Sequence, residues 1–317
     1  MKLTQYLSYL LIALPLTFTA CGGDDDDDNS SNGNGTTLNA NANTTEKSQY
    51  ATRLEMPKLH KGNNYLLLVK TTADIGVNYS VEWDCMKRAQ WWTCWEWNDT
   101  NSSKGWDRNR WDAGETFNGY GGDGDPFQPD TEIPADYRTD LSDYSNSGYN
   151  RGHMCASEDR ICSKEVNGQT FYLSNMHPQI SQHNSGIWSS LESKVRTWRD
   201  LTVNASGTMY ICKGGTISDV TIDGKTQTGV ETYLWDKIPV PKYFWMAILK
   251  KSAAGVYSAV AIWTEHKAYQ SSDYRDFSTF MISINELEQR TGLDFFCNLP
   301  DNVEETVEAS FTASEWK

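Results

Sequence analysis

Positive charge is scarce in this chain. Its 28 Lys and Arg face 42 Asp and Glu among 317 residues, a formal net charge of −14. That balance argues against a protein that coats nucleic acid through bulk electrostatics. No basic stripe or recognition helix is present for reading a base sequence. Any polyanionic substrate therefore needs a local site, with a metal or a few arginines supplying the attraction. Long apolar runs are equally scarce: beyond "LSYLLIALPLTF" at 7–18, none is long enough to span a bilayer. Internal repeats are absent. The cysteines lack the C-x₂₋₄-C spacing of common zinc sites, and there are only five histidines.

The apolar run follows the positive start Met1-Lys2 and has the length of a signal-peptide core rather than a membrane span. Thr19-Ala20 then lead into Cys21, a pattern that resembles a bacterial lipoprotein signal, with Phe18 where leucine is usual. Residues 1–20 are expected to be a cleaved leader and Cys21 a lipidated N-terminus. Residues 22–47 contain no aromatic and one large aliphatic side chain, Leu38, so they cannot bury enough surface to offset ordering entropy. A tether over 21–50 and one large domain over 51–317 follow from this. The run Asp24–Asp28 is a solvated charge block that also resembles the acidic signal for surface display in Gram-negative bacteria. The expected location is the outer membrane or cell surface, with the lipid as the sole membrane contact.

Six cysteines remain: Cys85, Cys94, Cys155, Cys162, Cys212 and Cys297. An even number in an exported chain reads as disulfides. Proximity suggests Cys85 with Cys94 and Cys155 with Cys162, leaving Cys212 with Cys297.

The domain reads as α+β, with many strands and few helices. Strand composition marks 65–69, 77–83, 91–97, 170–174, 208–214, 243–249 and 256–264. A long Gly-, Asp- and Asn-rich loop over 98–150 is the kind that carries function. Ser283 and Glu286 form a capping box opening a helix that Gly292 ends. A second helix, 184–199, has Ile187, Trp188, Leu191, Val195 and Trp198 on one stripe. Helical periodicity puts Asn184 within that stripe and Glu192 at its edge. An inward amide and carboxylate need partners. Asn184 is either an N-cap or an oxygen ligand for a hard cation, with Glu192 holding the ion's waters.

The stretch "YNRGHMCAS" at 149–157 adds His153, suited to taking a proton from water near neutral pH, and Arg151, whose planar fork suits phosphate. Gly152 lets the backbone bend closely between them. A zinc reading through Cys155, Cys162, His177 and His183 has the wrong spacing, and disulfides are the more natural fate of those thiols.

Three ordered motifs then carry a resemblance: Asn150-Arg151-Gly152-His153; Ser174-Asn175-Met176-His177-Pro178-Gln179; and Asn184 through Trp188 to Leu191-Glu192. Together they resemble the DNA/RNA non-specific endonucleases, the endonuclease G-like ββα-metal nucleases. The resemblance implies a layered antiparallel β-sheet domain with a ββα-metal finger. It implies Mg²⁺, with Mn²⁺ as the alternative, held by Asn184 as the only direct protein ligand. His153 would be the general base, Glu192 would orient the ion's waters, and Asn175 would support the site. The products would be 5′-phosphate ends of DNA or RNA. An upstream arginine would neutralise the transition state, and Arg108 is preferred over Arg110 for its spacing before Trp111. The family's leading aspartate is Asn150 here. An asparagine can replace it if the role is to anchor the finger by hydrogen bonds. A surface module that captures nucleic acid without cleaving it is the competing reading, and the intact Arg151, His153, Asn184 and Glu192 argue against it.

Overall fold

The computed structural model describes residues 39–316. The leader, Cys21 and the Asp24–Asp28 run lie outside the described residues. The described chain contains β1 (Tyr65–Thr72), β2 (Gly76–Asp84), β3 (Ala89–Trp97), α1 (Leu141–Tyr144), β4 (Asn150–His153), α2 (Lys164–Gln169), β5 (Met176–Gln179), α3 (Ser189–Asn204) and β6 (Thr208–Gly215). It continues through β7 (Val220–Ile222), β8 (Lys225–Gln227), β9 (Val230–Leu234), β10 (Ile238–Pro241), β11 (Tyr243–Lys251), β12 (Tyr257–Glu265), β13 (Met281–Ile282), α4 (Ile284–Thr291) and α5 (Asp301–Ala309).

A seven-stranded antiparallel sheet in the order β1-β2-β3-β6-β11-β12-β13 organises the body. Side chains alternate across a strand, and both faces here are buried. On one face Met209, Ile211, Trp95, Trp97, Met246 and Ile248 pack with Ile187, Trp188, Leu191, Val195 and Trp198 from the α3 region. On the other, Tyr210, Cys212, Trp245, Ala247 and Leu249 pack with Ile284 and Leu287 of α4 and Val307 of α5. The result is three layers, the α+β architecture expected. Half of the expected capping box forms: Ser283 Oγ accepts from Glu286 N at 3.1 Å, the Glu286 carboxylate pairs with Arg290 instead of reaching back, and Gly292 closes α4 at φ +71°.

Four expectations need correction. The strand expected at 170–174 is a 3₁₀ turn at Leu173–Asn175 followed by β5, so the finger's second strand begins at Met176. The helix expected to begin at Asn184 opens instead as a widened turn over His183–Trp188, kinked at Gly186 (φ −97°, ψ −107°). The ordered body begins before residue 51: Asn39 Nδ2 donates to Leu299 O, Asn43 is buried, and Asn43 Nδ2 donates to Pro57 O at 2.9 Å. Composition assigns this segment to the tether because it cannot show that amide side chains find partners elsewhere in the fold.

The disulfides do not form; all six cysteines are free thiols. Cys85 packs on the α3 side of the sheet and Cys94 on the α4 side. Cys155 is enclosed in the core, whereas Cys162 is half-buried. Cys212 lies opposite Cys94 in the β3–β6 register, and Cys297 Sγ reaches Met56 O at 3.7 Å. Sequence proximity failed for Cys85 and Cys94 because the two thiols pack into opposite layers of the fold.

Candidate active site

The finger begins with β4 and β5, paired antiparallel with Asn150 opposite Gln179, Gly152 opposite His177 and His153 opposite Met176. Gly152 is required by close approach: a Cβ there would lie 2.4 Å from the Gln179 side chain. Asn175 then secures the chain just beyond His153. Its Oδ1 accepts from Cys155 N at 2.9 Å, and its Nδ2 donates to Cys155 O and Thr170 O at 2.8 Å each. Trp188 on the helical arm donates from Nε1 to His153 O at 3.2 Å, joining helix to strand. The imidazole sits against Phe171 and Phe127, with centroids 5.2 and 5.3 Å away.

His153, Arg108, Asn184, Glu192 and Arg196 line one cleft of about 400 Å³. Burial first, then the cations Arg108, Arg151 and Lys213, push the His153 pKa down to about 3. The imidazole is thus neutral at physiological pH, and its enclosed Nε2 has no hydrogen-bond partner among the described residues. Arg108 is held at the rim by Ser157 Oγ, 2.9 Å from Nε, and by Glu158, 2.6 Å from Nη1. Arg110 is turned away, paired with Glu115 and stacked on Trp106. Of the two candidate arginines, only Arg108 lines the cleft.

Asn184 is not an N-cap. It lies inside the widened turn, its backbone N–H donates to Ile180 O at 3.0 Å, and its side-chain amide has no hydrogen-bond partner among the described residues. A lone uncommitted amide oxygen on a polar cleft fits a Mg²⁺ site, because that ion keeps most of its waters. No cluster of three or more His, Cys, Asp or Glu suited to a metal occurs among the described residues, so Cys155, Cys162, His177 and His183 form no zinc site.

Glu192 lies deeper in the cleft. Burial raises its pKa, and Lys213, whose Nζ donates to Oε1 at 3.1 Å, opposes that shift. Lys213 also lies 3.7 Å from Asp159, which pairs with Arg196 at 3.0 Å. Lys213, Asp159 and Arg196 escape the sequence reading, although signals exist. Lys213 shares the strand parity of Met209 and Ile211, which is unusual for a lysine on a core face, and Arg196 stands one helical turn after Glu192.

Two further expectations are modified. Arg151 does not line the His153 cleft; it pairs with Asp125 at 3.0 Å in an adjoining cavity. The Asn150 side chain makes no hydrogen bond among the described residues. Its anchoring of the finger is through backbone pairing with Gln179, and its side chain borders the Arg151 cavity.

Fold and site define a layered α+β protein with a ββα finger that presents a histidine from its strand arm and an asparagine and a glutamate from its helical arm. The chain belongs to the DNA/RNA non-specific endonuclease family, whose sequence profile matches residues 68–302. It is 31% identical to a nuclease of Nostoc sp. over 194 residues, 58% of this chain and 64% of that protein. It is 30% identical to nuclease C1 of Cunninghamella echinulata over 193 residues, 59% of this chain and 73% of that one. Human mitochondrial endonuclease G is 27% identical over 183 residues, 56% of this chain and 60% of that one. A crystal structure of the EndoG/EndoGI complex superposes with a TM-score of 0.59 at 26% identity, covering 75% of this chain and 89% of that chain.

Proposed function

We propose that the protein is a Mg²⁺-dependent endonuclease that hydrolyses DNA or RNA phosphodiester bonds without sequence specificity and leaves 5′-phosphate ends. The observation that carries this reading is the convergence of neutral His153, cationic Arg108, uncommitted Asn184 and Glu192 on one cleft. His153 takes the proton from the attacking water, a role its neutrality permits throughout the physiological range. Arg108 pairs with the phosphate oxygens as negative charge builds on them. Asn184 would hold the metal, with Glu192 beside it to orient the ion's waters. Bound there, the ion supplies polarisation of the phosphate and stabilisation of the departing 3′-oxygen. Trp188 and Asn175 fix the two arms so that these groups keep their spacing.

The decisive measurement is plasmid nicking with Mg²⁺, with and without EDTA, for wild type and His153→Ala. EDTA-sensitive nicking lost in the variant is expected; equal nicking by both proteins sinks the assignment and favours a non-cleaving capture module. Ligation of the cut ends without prior kinase treatment checks the 5′-phosphate. Surface display through a lipid on Cys21 is part of the same proposal and rests on the leader and acidic run alone. Metabolic palmitate labelling lost in Cys21→Ala, with protease accessibility on intact cells, tests it.

A further inference from the structure

The widened turn that carries Asn184 is anchored at two ends. At the far end Trp188 Nε1 donates to His153 O at 3.2 Å. At the near end His183 N and Asn184 N both donate to one carbonyl, Ile180 O, at 3.1 and 3.0 Å. No side chain caps this turn, so the direction of the Asn184 amide depends on the backbone that carries it. Ile180 is itself fixed by a residue 86 positions away: its N–H donates to His266 Nε2 at 2.8 Å. The other ring nitrogen, Nδ1, lies 2.8 Å from Pro241 O. A carbonyl only accepts, so Nδ1 carries the proton and Nε2 is left as the acceptor. Burial lowers the His266 pKa against the opposing pull of Pro241 O and Glu231, which keeps Nε2 free to accept. The His266 backbone is pinned as well, its N–H donating to Lys242 O at 2.8 Å. Its ring packs against Phe244 and His183, with centroids 5.0 and 5.2 Å away. Both ring nitrogens are thus committed, one to the β10–β11 junction and one to the residue from which Asn184 hangs.

We propose that His266 is a positioning residue for the metal site: by holding Ile180 it fixes the turn from which Asn184 reaches the ion. The proposal rests on the nuclease reading above, in which Asn184 would hold Mg²⁺. His266 is not among the residues that line the cleft. It borders another cavity, of about 510 Å³, together with Ile180. The ring is therefore a strut between the sheet and the finger, acting on Asn184 through the backbone alone. Because Ile180 and His266 both border that cavity, water can reach the Ile180 N–H when the ring is replaced. Substitution then loosens the turn without leaving a buried donor unpaired.

Two substitutions separate the roles of the ring nitrogens. His266→Gln places an amide oxygen near the position of Nε2 and keeps an acceptor for Ile180 N–H. His266→Asn places an amide nitrogen near Nδ1, keeps the bond to Pro241 O and leaves Ile180 without its acceptor. Calorimetric Mn²⁺ binding without substrate is expected to weaken about tenfold or more in His266→Asn and to stay within about threefold of wild type in His266→Gln. In plasmid nicking, His266→Asn should need about tenfold more Mg²⁺ for half-maximal rate and regain a near wild-type kcat once Mg²⁺ saturates. Equal Mn²⁺ affinity of the two variants, or weaker binding by His266→Gln, overturns the proposal. Should wild type bind no Mn²⁺ and nick no plasmid, the nuclease reading fails by itself. Amide hydrogen exchange of the metal-free proteins then still decides the strut. Faster exchange at Ile180 and Asn184 in His266→Asn than in His266→Gln supports it, and equal rates refute it.

Discussion

Lys213 Nζ lies 3.1 Å from Glu192 Oε1, with the lysine side chain wholly buried beneath the cleft. The lysine rises from the face of β6 that otherwise carries Met209 and Ile211, and its Nζ lies 5.1 Å from the Trp95 ring centroid and 5.6 Å from that of Trp188. Its positive charge opposes the burial that would protonate Glu192, so the carboxylate's charge state depends on a residue outside the three sequence motifs.

Replacing Lys213 with Met therefore acts through Glu192. The expected loss in kcat/KM is about 10- to 100-fold, with the Glu192→Gln/Lys213→Met double variant no worse than Glu192→Gln alone. Additive losses in that cycle would show that Lys213 acts independently of the carboxylate. Urea denaturation of the single variant should show a cost of about 3–5 kcal/mol, because one partner of a buried pair has been removed.

The two candidate arginines separate cleanly. Arg108→Ala should lower kcat by about 10²–10³, the size seen when a donor to a developing anion is lost. Arg110→Ala removes a contact to Glu115 and Trp106 away from the cleft, and its kcat should stay within about twofold of wild type. Steady-state rates on a fluorescent oligonucleotide measure both, and the reverse order would reassign the transition-state contact.

The pH dependence follows from the depressed pKa of His153. The folded value of about 3 lies below the ordinary 6.5, so the base stays free of its proton well below neutrality. The acid limb of kcat/KM is expected beneath pH 6.5, and Asn150→Asp should leave it in place, since residue 150 borders the neighbouring cavity instead. A limb centred at or above 6.5, or one raised in the variant, contradicts this placement. The same sign applies to stability. His153, His177 and His183 all sit near 3 in the folded state, so the stability they contribute is present above 6.5 and is lost as the pH falls toward 3.

Alkali acts on the other side of the sheet. Burial, reinforced by neighbouring carboxylates, raises Glu288 and Glu304 to about 7 and Glu308 to about 9. Their stabilising contribution is complete below the ordinary carboxylate value of 4.5 and disappears as the pH rises through 7 and then 9. Thermal melts between pH 7 and 9 should show a falling Tm, and Glu308→Gln should flatten the upper part of that fall. An unchanged slope in the variant would locate the titration elsewhere.

The sequence by itself determined the family, the α+β layering and the candidate residues of the cleft. His153, Asn184 and Glu192 are legible because each stands in a short motif whose spacing is local. Alternating strands and the Ser283 cap of α4 are legible for the same reason, since parity and caps are properties of neighbouring residues. Only the tertiary structure decided which side chains share a cavity. It chose Arg108 over Arg110, moved Arg151 one step along the finger, placed Lys213 under Glu192 and sent Cys85 and Cys94 to opposite layers. Each of these outcomes depends on what the chain packs against a residue from far away in sequence. Burial then decides which of these groups hold their charge, as at His153 and Glu192, and no count of residues along the chain contains that quantity.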